Sequence, residues 1–474
     1  MISMTTNAVP WTPRPYQLEA LQFSLERERS GLLLDPGLGK TSTYLAYISV
    51  LLERKDIKRV LVVAPMRVAQ TVWPVEAQKW KDFNHLRICD LTERTDEQRI
   101  ELLKKKFEVY VINPESLYKI INPMKEKGIR ADPGNPWGFD MILADESTRF
   151  ADAQTERFKM LKPCFKYYSH RSIATGTPSP NGLQQLFGQC YFLDDGRALG
   201  EYITHFRQMY MTADPWTPYS YNMRPGSAEK IYERIGNLLL RMKAKDHLEM
   251  PELIPNPIYV DLSTAVRKQY DDFERDFLIS VLDETIPAFN KASLGIKCRQ
   301  ISNGFIYSQE NKGTPLLIHD EKLKALENLI EEMQGRPLLL MYEFIADGQR
   351  IMERFPQAIN VTGSKDINRV VRDFNEGKIP VLIGHPKSAG HGLNLQEACS
   401  DICWYGTGLD LELWLQAIAR VWRQGQKSST VRNHFIMARN TTDELMIEGL
   451  ARKDADQEDV DQALILYAKR RLGL

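Results

Sequence analysis

The stretch "LLLDPGLGKTSTYLA", Leu32–Ala46, decides how the chain is read. An apolar run ends in Asp-Pro, Gly-Leu-Gly-Lys-Thr follows, and the helix-forming "TSTYLAYISVLLER" comes next. Strand, glycine-rich turn and helix in that order are what a phosphate loop needs. Gly37 and Gly39 let backbone N–H groups curl around a phosphate, Lys40 neutralises its outer oxygens, and Thr41 offers a hydroxyl to magnesium. The pattern departs from the generic G-x-x-x-x-G-K-[ST], because Leu34 stands at the first glycine position and Pro36 stiffens the turn. Taken alone, the loop suits a small-molecule phosphotransferase as well as a motor.

Size widens the choice. A chain of 474 residues exceeds one ordinary core, so two or three domains are expected. Lys+Arg and Asp+Glu are both 62, so global charge recruits neither nucleic acid nor membrane, and a polyanion site has to be a local groove. The beginning lacks a signal-peptide pattern and no run is long enough to span a membrane, so a soluble, cytoplasmic protein is expected. Six scattered cysteines read as reduced thiols; Cys399 and Cys403, with His385 and His391 before them, match no compact zinc pattern.

Outward from the loop, near-continuous apolar runs alternate with helical stretches: "GLLL", "RVLVVA" (59–64), "LRICD" (86–90), "EVYVI" (108–112), "FDMILA" (139–144) and "SIAT" (172–175). Runs of this kind separated by helices indicate a parallel sheet covered on both faces. A second series follows Leu323: "PLLLMY", "AINVTG", "IPVLIG", "DICWYG" and "RNHFIM". The expected fold is α/β, two parallel-sheet lobes in tandem with helical insertions. The expected division is an N-terminal lobe with a helical insertion (1–248), a Pro-rich linker (249–262), a helical segment with the C-terminal lobe (263–455) and a C-terminal helix (456–474) that docks on its own protein.

Two further motifs carry chemistry. In "FDMILADEST" an apolar strand ends in Asp145 and Glu146, placing one carboxylate to hold magnesium and another to activate water. In "LQAIARVWRQGQ" (415–426), spacings of four and three place Gln416, Arg420 and Arg423 on one helix face, where two guanidinium groups could complete the charge around a departing phosphate.

In order and position, "RPYQLEALQF" (14–23), "DPGLGKT", "VVAPMRVAQTVWPVEAQKW" (62–80), "DEST", "TGTPSPN" (175–181), "SAGHGLNLQ" (388–396) and "QAIARVWRQGQ" resemble the motifs of helicase superfamily 2. In detail the chain is similar to the Swi/Snf group of double-stranded DNA translocases, over about 12–449, in a compact form like that of bacteriophage members.

The resemblance implies that the lobes are RecA-like with an ATP cleft between them, and that ATP and Mg2+ are the cofactors. It gives Gln17 the adenine edge, and Gly37, Leu38, Gly39, Lys40 and Thr41 the phosphates. Thr41 and Asp145 would hold the metal, Asp145 and Glu146 would be catalytic with Arg420 and Arg423 as fingers, and Gly392 and Gln416 would adjoin the nucleotide. Pro65, Thr177, Thr362, Gly363 and Asn394 would line a groove for a DNA backbone. Ser147 stands where much of the family has a histidine after the acidic pair, Leu34 replaces a commonly acidic residue, and Trp422 a common histidine.

The implied function is an ATP-driven motor on duplex or branched DNA, without sequence specificity, in repair, recombination or replication. A monomer is expected, with a nuclease as a possible protein partner. The alternatives are an RNA helicase and an ATP-switched DNA clamp serving a partner nuclease.

Overall fold

The computed structural model describes residues 8–121, 138–180, 182–213, 221–282, 288–307, 314–364, 366–389, 393–406, 408 and 410–454. The chain divides into two compact units that change over between Leu248 and Glu249.

The first unit is a seven-stranded sheet. Its strands are β1 (Arg29–Leu34), β2 (Val60–Val63), β3 (Ile88–Asp90), β4 (Val109–Ile112), β5 (Met141–Asp145) and β6 (His170–Thr175); a β7–β8 hairpin (Met211–Ala213, Tyr221–Met223) intervenes before β9 (Leu239–Met242). The order is β3-β4-β2-β5-β6-β1-β9 and every pair is parallel. Aliphatic runs form the central strands because helices bury both faces; β2, β4 and β5 are buried along their whole length. The register levels the carboxyl ends, with Val63 beside Ala144, Asp145 beside Ala174 and Leu33 beside Thr175. Loops leaving that edge are where an open parallel sheet places a ligand.

The second unit holds β10 (Glu252–Val260), the antiparallel β11–β12 hairpin (Phe305–Tyr307, Pro315–Leu317), β13 (Leu338–Met341), β14 (Ile359–Asn360), β15 (Val381–Gly384), β16 (Asp401–Trp404) and β17 (Thr430–Ala438). Its six-stranded sheet runs β10-β17-β16-β13-β15-β14, again all parallel. One face buries Leu339, Met341, Leu382, Ile402 and Trp404; the other buries Leu338, Leu340, Val381, Ile383 and Cys403. Two parallel α/β units in tandem are the fold class that the sequence pattern predicts.

Two segments differ from expectation. Residues 249–262, expected as a linker, contain β10, which pairs with β17 from Glu252–Thr430 to Val260–Ala438. Pro255 and Pro257 are tolerated because this is an edge strand, where a missing N–H faces solvent. The helical insertion expected in the N-terminal lobe also supplies the β7–β8 hairpin and is followed by the edge strand β9. The expected C-terminal helix, 456–474, lies outside the described residues. All six cysteines are free and buried, and among the described residues no helix is long and apolar enough to cross a membrane.

Candidate active site

The phosphate loop leaves the carboxyl end of β1. Gly37 and Gly39 take positive φ values of 94° and 76°, conformations that cost a side-chain-bearing residue, and Lys40 opens the helix Lys40–Glu53. A β-carbon on Gly39 would sit 2.3 Å from Gln17 Nε2, so the glycine also makes room for that amide. Gln17 is buried; its Nε2 donates to the Leu38 carbonyl at 3.4 Å and to Ser42 Oγ at 3.5 Å, and its Oε1 accepts from Arg14 N at 2.9 Å. Lys40 Nζ donates to the Leu34 carbonyl at 2.7 Å, which folds the cation back over its own loop.

The Asp-Pro of the loop is structural. Asp35 Oδ2 accepts from Ala244 N at 2.9 Å and Asp35 N donates to the Met242 carbonyl at 3.1 Å, tying the loop to the end of β9. Pro36 packs on Gly176, where a β-carbon would come within 2.9 Å of the proline ring.

Asp145 and Glu146 follow on the neighbouring edge. Burial, then the Glu146 charge, pushes the Asp145 carboxyl up to about 6, opposed by a hydrogen bond from Trp73 and by the Lys40 charge. The Lys40 contribution brings the phosphate loop and the acidic strand end into one electrostatic neighbourhood. Glu146 sits in the left-handed region, φ 55° and ψ 63°, a strained conformation for a residue with a β-carbon. Thr175 Oγ1 donates to Glu146 Oε2 at 3.4 Å and accepts from Thr177 N at 3.2 Å.

A second bridge joins the acidic turn to the segment after β6. Ser147 Oγ donates to Gln189 Oε1 at 2.6 Å, and Gln189 Nε2 donates to the Pro178 carbonyl at 2.6 Å. The helix Gln185–Asp194 comes this close because Gly188 has no β-carbon: one would lie 2.2 Å from the Ala151 carbonyl oxygen. Ser147 and Gln189 thus tie the acidic turn to the Pro178 carbonyl. Thr177 and Pro65 are both half-buried at the same sheet edge.

In the second unit, Arg420 and Arg423 do not share a helix face with Gln416. The helix Leu411–Ile418 ends before them, because Arg420 Nε turns back to the Gln416 carbonyl at 2.9 Å and caps its own helix. Arg420 NH1 also donates to the Leu393 carbonyl at 3.2 Å, and Arg423 NH1 to Asn394 Oδ1 at 2.6 Å. Arg420, Arg423 and Asn394 are therefore brought together, while Gln416 is buried and donates to Glu412 Oε1 at 3.1 Å. Thr362 and Gly363 form an exposed turn after β14, with Thr362 Oγ1 accepting from His385 N at 3.1 Å. Gly392 lies outside the described residues.

The donors of the first unit fit a magnesium nucleotide. A hydroxyl at Thr41 and a carboxylate at Asp145 are the hard oxygens magnesium takes, and Lys40 with the glycine amides suits its phosphates. Sequence reasoning missed Trp73 and Gln189. Gln189 stands in an apolar helical run, where the one signal was a polar amide beside a glycine within "LFGQCYFL" (186–193), and Trp73 opens the mixed helix "WPVEAQK".

Comparison with known proteins places this arrangement. The SNF2-related domain family matches residues 16–310. A putative protein, p41, of Acyrthosiphon pisum secondary endosymbiont phage 1 is 32% identical, covering 97% of this chain and 99% of that one. An uncharacterized ATP-dependent helicase of Mycoplasma genitalium is 25% identical over 95% of this chain, and the ISWI chromatin-remodeling complex ATPase ISW1 of Saccharomyces cerevisiae 23% over 93%. The chain spans nearly the whole phage protein but only 42% and 40% of the other two. The helicase domain of Pyrococcus furiosus Hef shares the fold, with a TM-score of 0.54 at 16% identity, covering 92% of this chain and 97% of that one. The chain belongs to the SNF2-related family, the DNA-dependent ATPases of helicase superfamily 2.

Proposed function

We propose that the protein is a motor that hydrolyses ATP to travel along duplex or branched DNA, gripping phosphates rather than base edges, in repair, recombination or replication. The observation that carries this reading is the pair of hydrogen-bonded bridges, Glu146–Thr175–Thr177 and Ser147–Gln189–Pro178, between the acidic strand end and the Thr175–Pro178 turn. They give hydrolysis and DNA contact a shared mechanical element. Family membership and a second parallel α/β unit support a motor over a small-molecule kinase.

In this reading Lys40 and the amides of Gly37–Thr41 bind the phosphates, and Gln17 turns to the base. Glu146 accepts a proton from the attacking water, and its carboxylate, held by Thr175 on a strained backbone, fixes where that proton goes. Magnesium, held by Thr41 and Asp145, would neutralise charge building on the phosphates. Arg420 and Arg423 supply the charge that Lys40 alone does not, with Asn394 holding Arg423. Pro65, Thr177, Thr362 and Gly363 meet the DNA backbone.

Steady-state ATPase with duplex DNA, branched DNA, single strands and RNA as effectors tests the reading. Duplex or branched DNA should stimulate most, with a steep fall on adding salt. Stimulation by RNA alone would make the chain an RNA helicase, and DNA stimulation without displacement of a triplex strand would make it a clamp. Arg423→Ala should bind nucleotide yet hydrolyse it roughly 10³-fold more slowly.

A further inference from the structure

Trp73 lies within the 62–80 motif with no chemical role assigned to it, yet its ring N–H reaches the acidic strand end. The chain leaves β2, passes Pro65 and Arg67, and makes a π-helical turn over Val68–Val72 before the helix Trp73–Lys79. A π turn holds one residue more than an α turn, so it rotates every later side chain by about 100° around the axis. The turn is pinned by Ala69 N to the Pro65 carbonyl at 2.9 Å, by Thr71 Oγ1 to the Arg67 carbonyl at 2.7 Å and by Gln70 Nε2 to Thr92 Oγ1 at 3.0 Å. Trp73 emerges from it 1% exposed, with Nε1 3.0 Å from Asp145 Oδ2.

An indole N–H is a donor only, so it neither ligates a metal nor takes a proton. Its bond nevertheless distinguishes the two carboxylate oxygens, because Oδ2 accepts from the indole; the carboxylate also accepts from the Glu146 backbone N–H. Burial of both side chains removes the water that would otherwise replace this bond.

We infer that Trp73 is a positioning residue, which fixes the Asp145 carboxylate so that one defined oxygen serves magnesium at the nucleotide. The inference rests on the reading of Asp145 as the magnesium-holding group. Removing a hydrogen-bond partner of a metal-holding side chain commonly weakens metal affinity 10- to 100-fold, which is the scale expected here.

The test uses the full chain, fluorescent N-methylanthraniloyl-ADP and magnesium. Nucleotide binding is titrated against Mg2+ for the parent, Trp73→Phe and Trp73→His, and again in EDTA. Phe keeps an aromatic ring without the donor; His keeps a ring N–H. Trp73→Phe should raise the half-saturating Mg2+ at least about tenfold while leaving metal-free nucleotide affinity unchanged, and Trp73→His should fall between it and the parent.

An unchanged Mg2+ requirement in Trp73→Phe, or an equal loss of affinity with and without metal, overturns the positioning role. A parent whose binding ignores Mg2+ overturns the assignment of Asp145 and this inference with it. Should Trp73→Phe fail to fold, Trp73→Met, which also lacks the donor, carries the same comparison. A parent that binds Mg·ADP but is not stimulated by DNA overturns only the motor.

Discussion

Ser147 Oγ and Gln189 Oε1 face each other at 2.6 Å, both fully buried, and the same Gln189 amide donates to the Pro178 carbonyl. Gln189→Met preserves volume and removes these two bonds and a third from Nε2 to the Gln185 carbonyl at 3.0 Å, leaving a buried hydroxyl and a buried carbonyl short of partners, at a cost of about 1–3 kcal/mol. Thermal or urea unfolding measures that loss. In the proposed reading Thr177 meets DNA beside Pro178, so the variant should also lose more DNA-stimulated than basal ATPase activity. A Ser147→Ala, Gln189→Met double mutant should be less than additive in this effect.

Gly188 is where two backbones touch. Gly188→Ala would force a β-carbon to 2.2 Å from the Ala151 carbonyl oxygen, and a main-chain atom cannot swing aside as a side chain can. The expected destabilisation of the first unit is about 2–3 kcal/mol, read from the urea midpoint at constant m-value.

In the second unit Lys322 is buried and donates to Asn303 Oδ1 at 2.7 Å and to the Tyr405 carbonyl at 3.3 Å, with Asp443 Oδ2 at 2.7 Å. Lys322→Met leaves the Asp443 carboxylate buried without its cation, costing about 3–5 kcal/mol. Lys322→Met combined with Asp443→Leu should recover a large part of that loss, because the desolvated charge goes as well. Chemical denaturation of the three variants checks this.

The Asp347 carboxyl, in the same network, is pushed up to about 7 by burial, against hydrogen bonds from Phe344 N and Asn303 and the charge of Lys322. In the unfolded chain it titrates near 3.8, so between about 4 and 7 the folded state holds a proton that the unfolded state has lost. Its contribution to stability therefore falls as pH rises through that window, by at most about 1.4 kcal/mol per pH unit for one proton. Asp347→Asn should give a flatter stability profile from pH 4 to 7 than the parent, measured by urea melts at fixed ionic strength.

The parallel sheets were legible because their central strands are continuous apolar runs bounded by turns, a pattern few other structures produce. The phosphate loop and the Asp145–Glu146 pair were legible because chemistry restricts them to strand ends. Strand β10 was not, since prolines and exposed polar residues mimic a linker and only the distant β17 explains them. The break after Ile418 was hidden for a different reason: spacing alone places Arg420 on the helix, whereas the guanidinium bends back to end it. Trp73 and Gln189 read as core because their partners lie 72 and 42 residues away. Nothing local announces such a bond.

The pairing of β10 with β17 has a bearing on biosynthesis. A strand made at 252–260 waits for a partner made at 430–438, some 180 residues later, which at ribosomal speeds is an interval of roughly 10–35 s. During that time the first unit has all its strands and can fold on the ribosome, while the nascent second sheet keeps an unsatisfied edge. A chaperone that shields exposed strands should therefore act on this polypeptide late in translation.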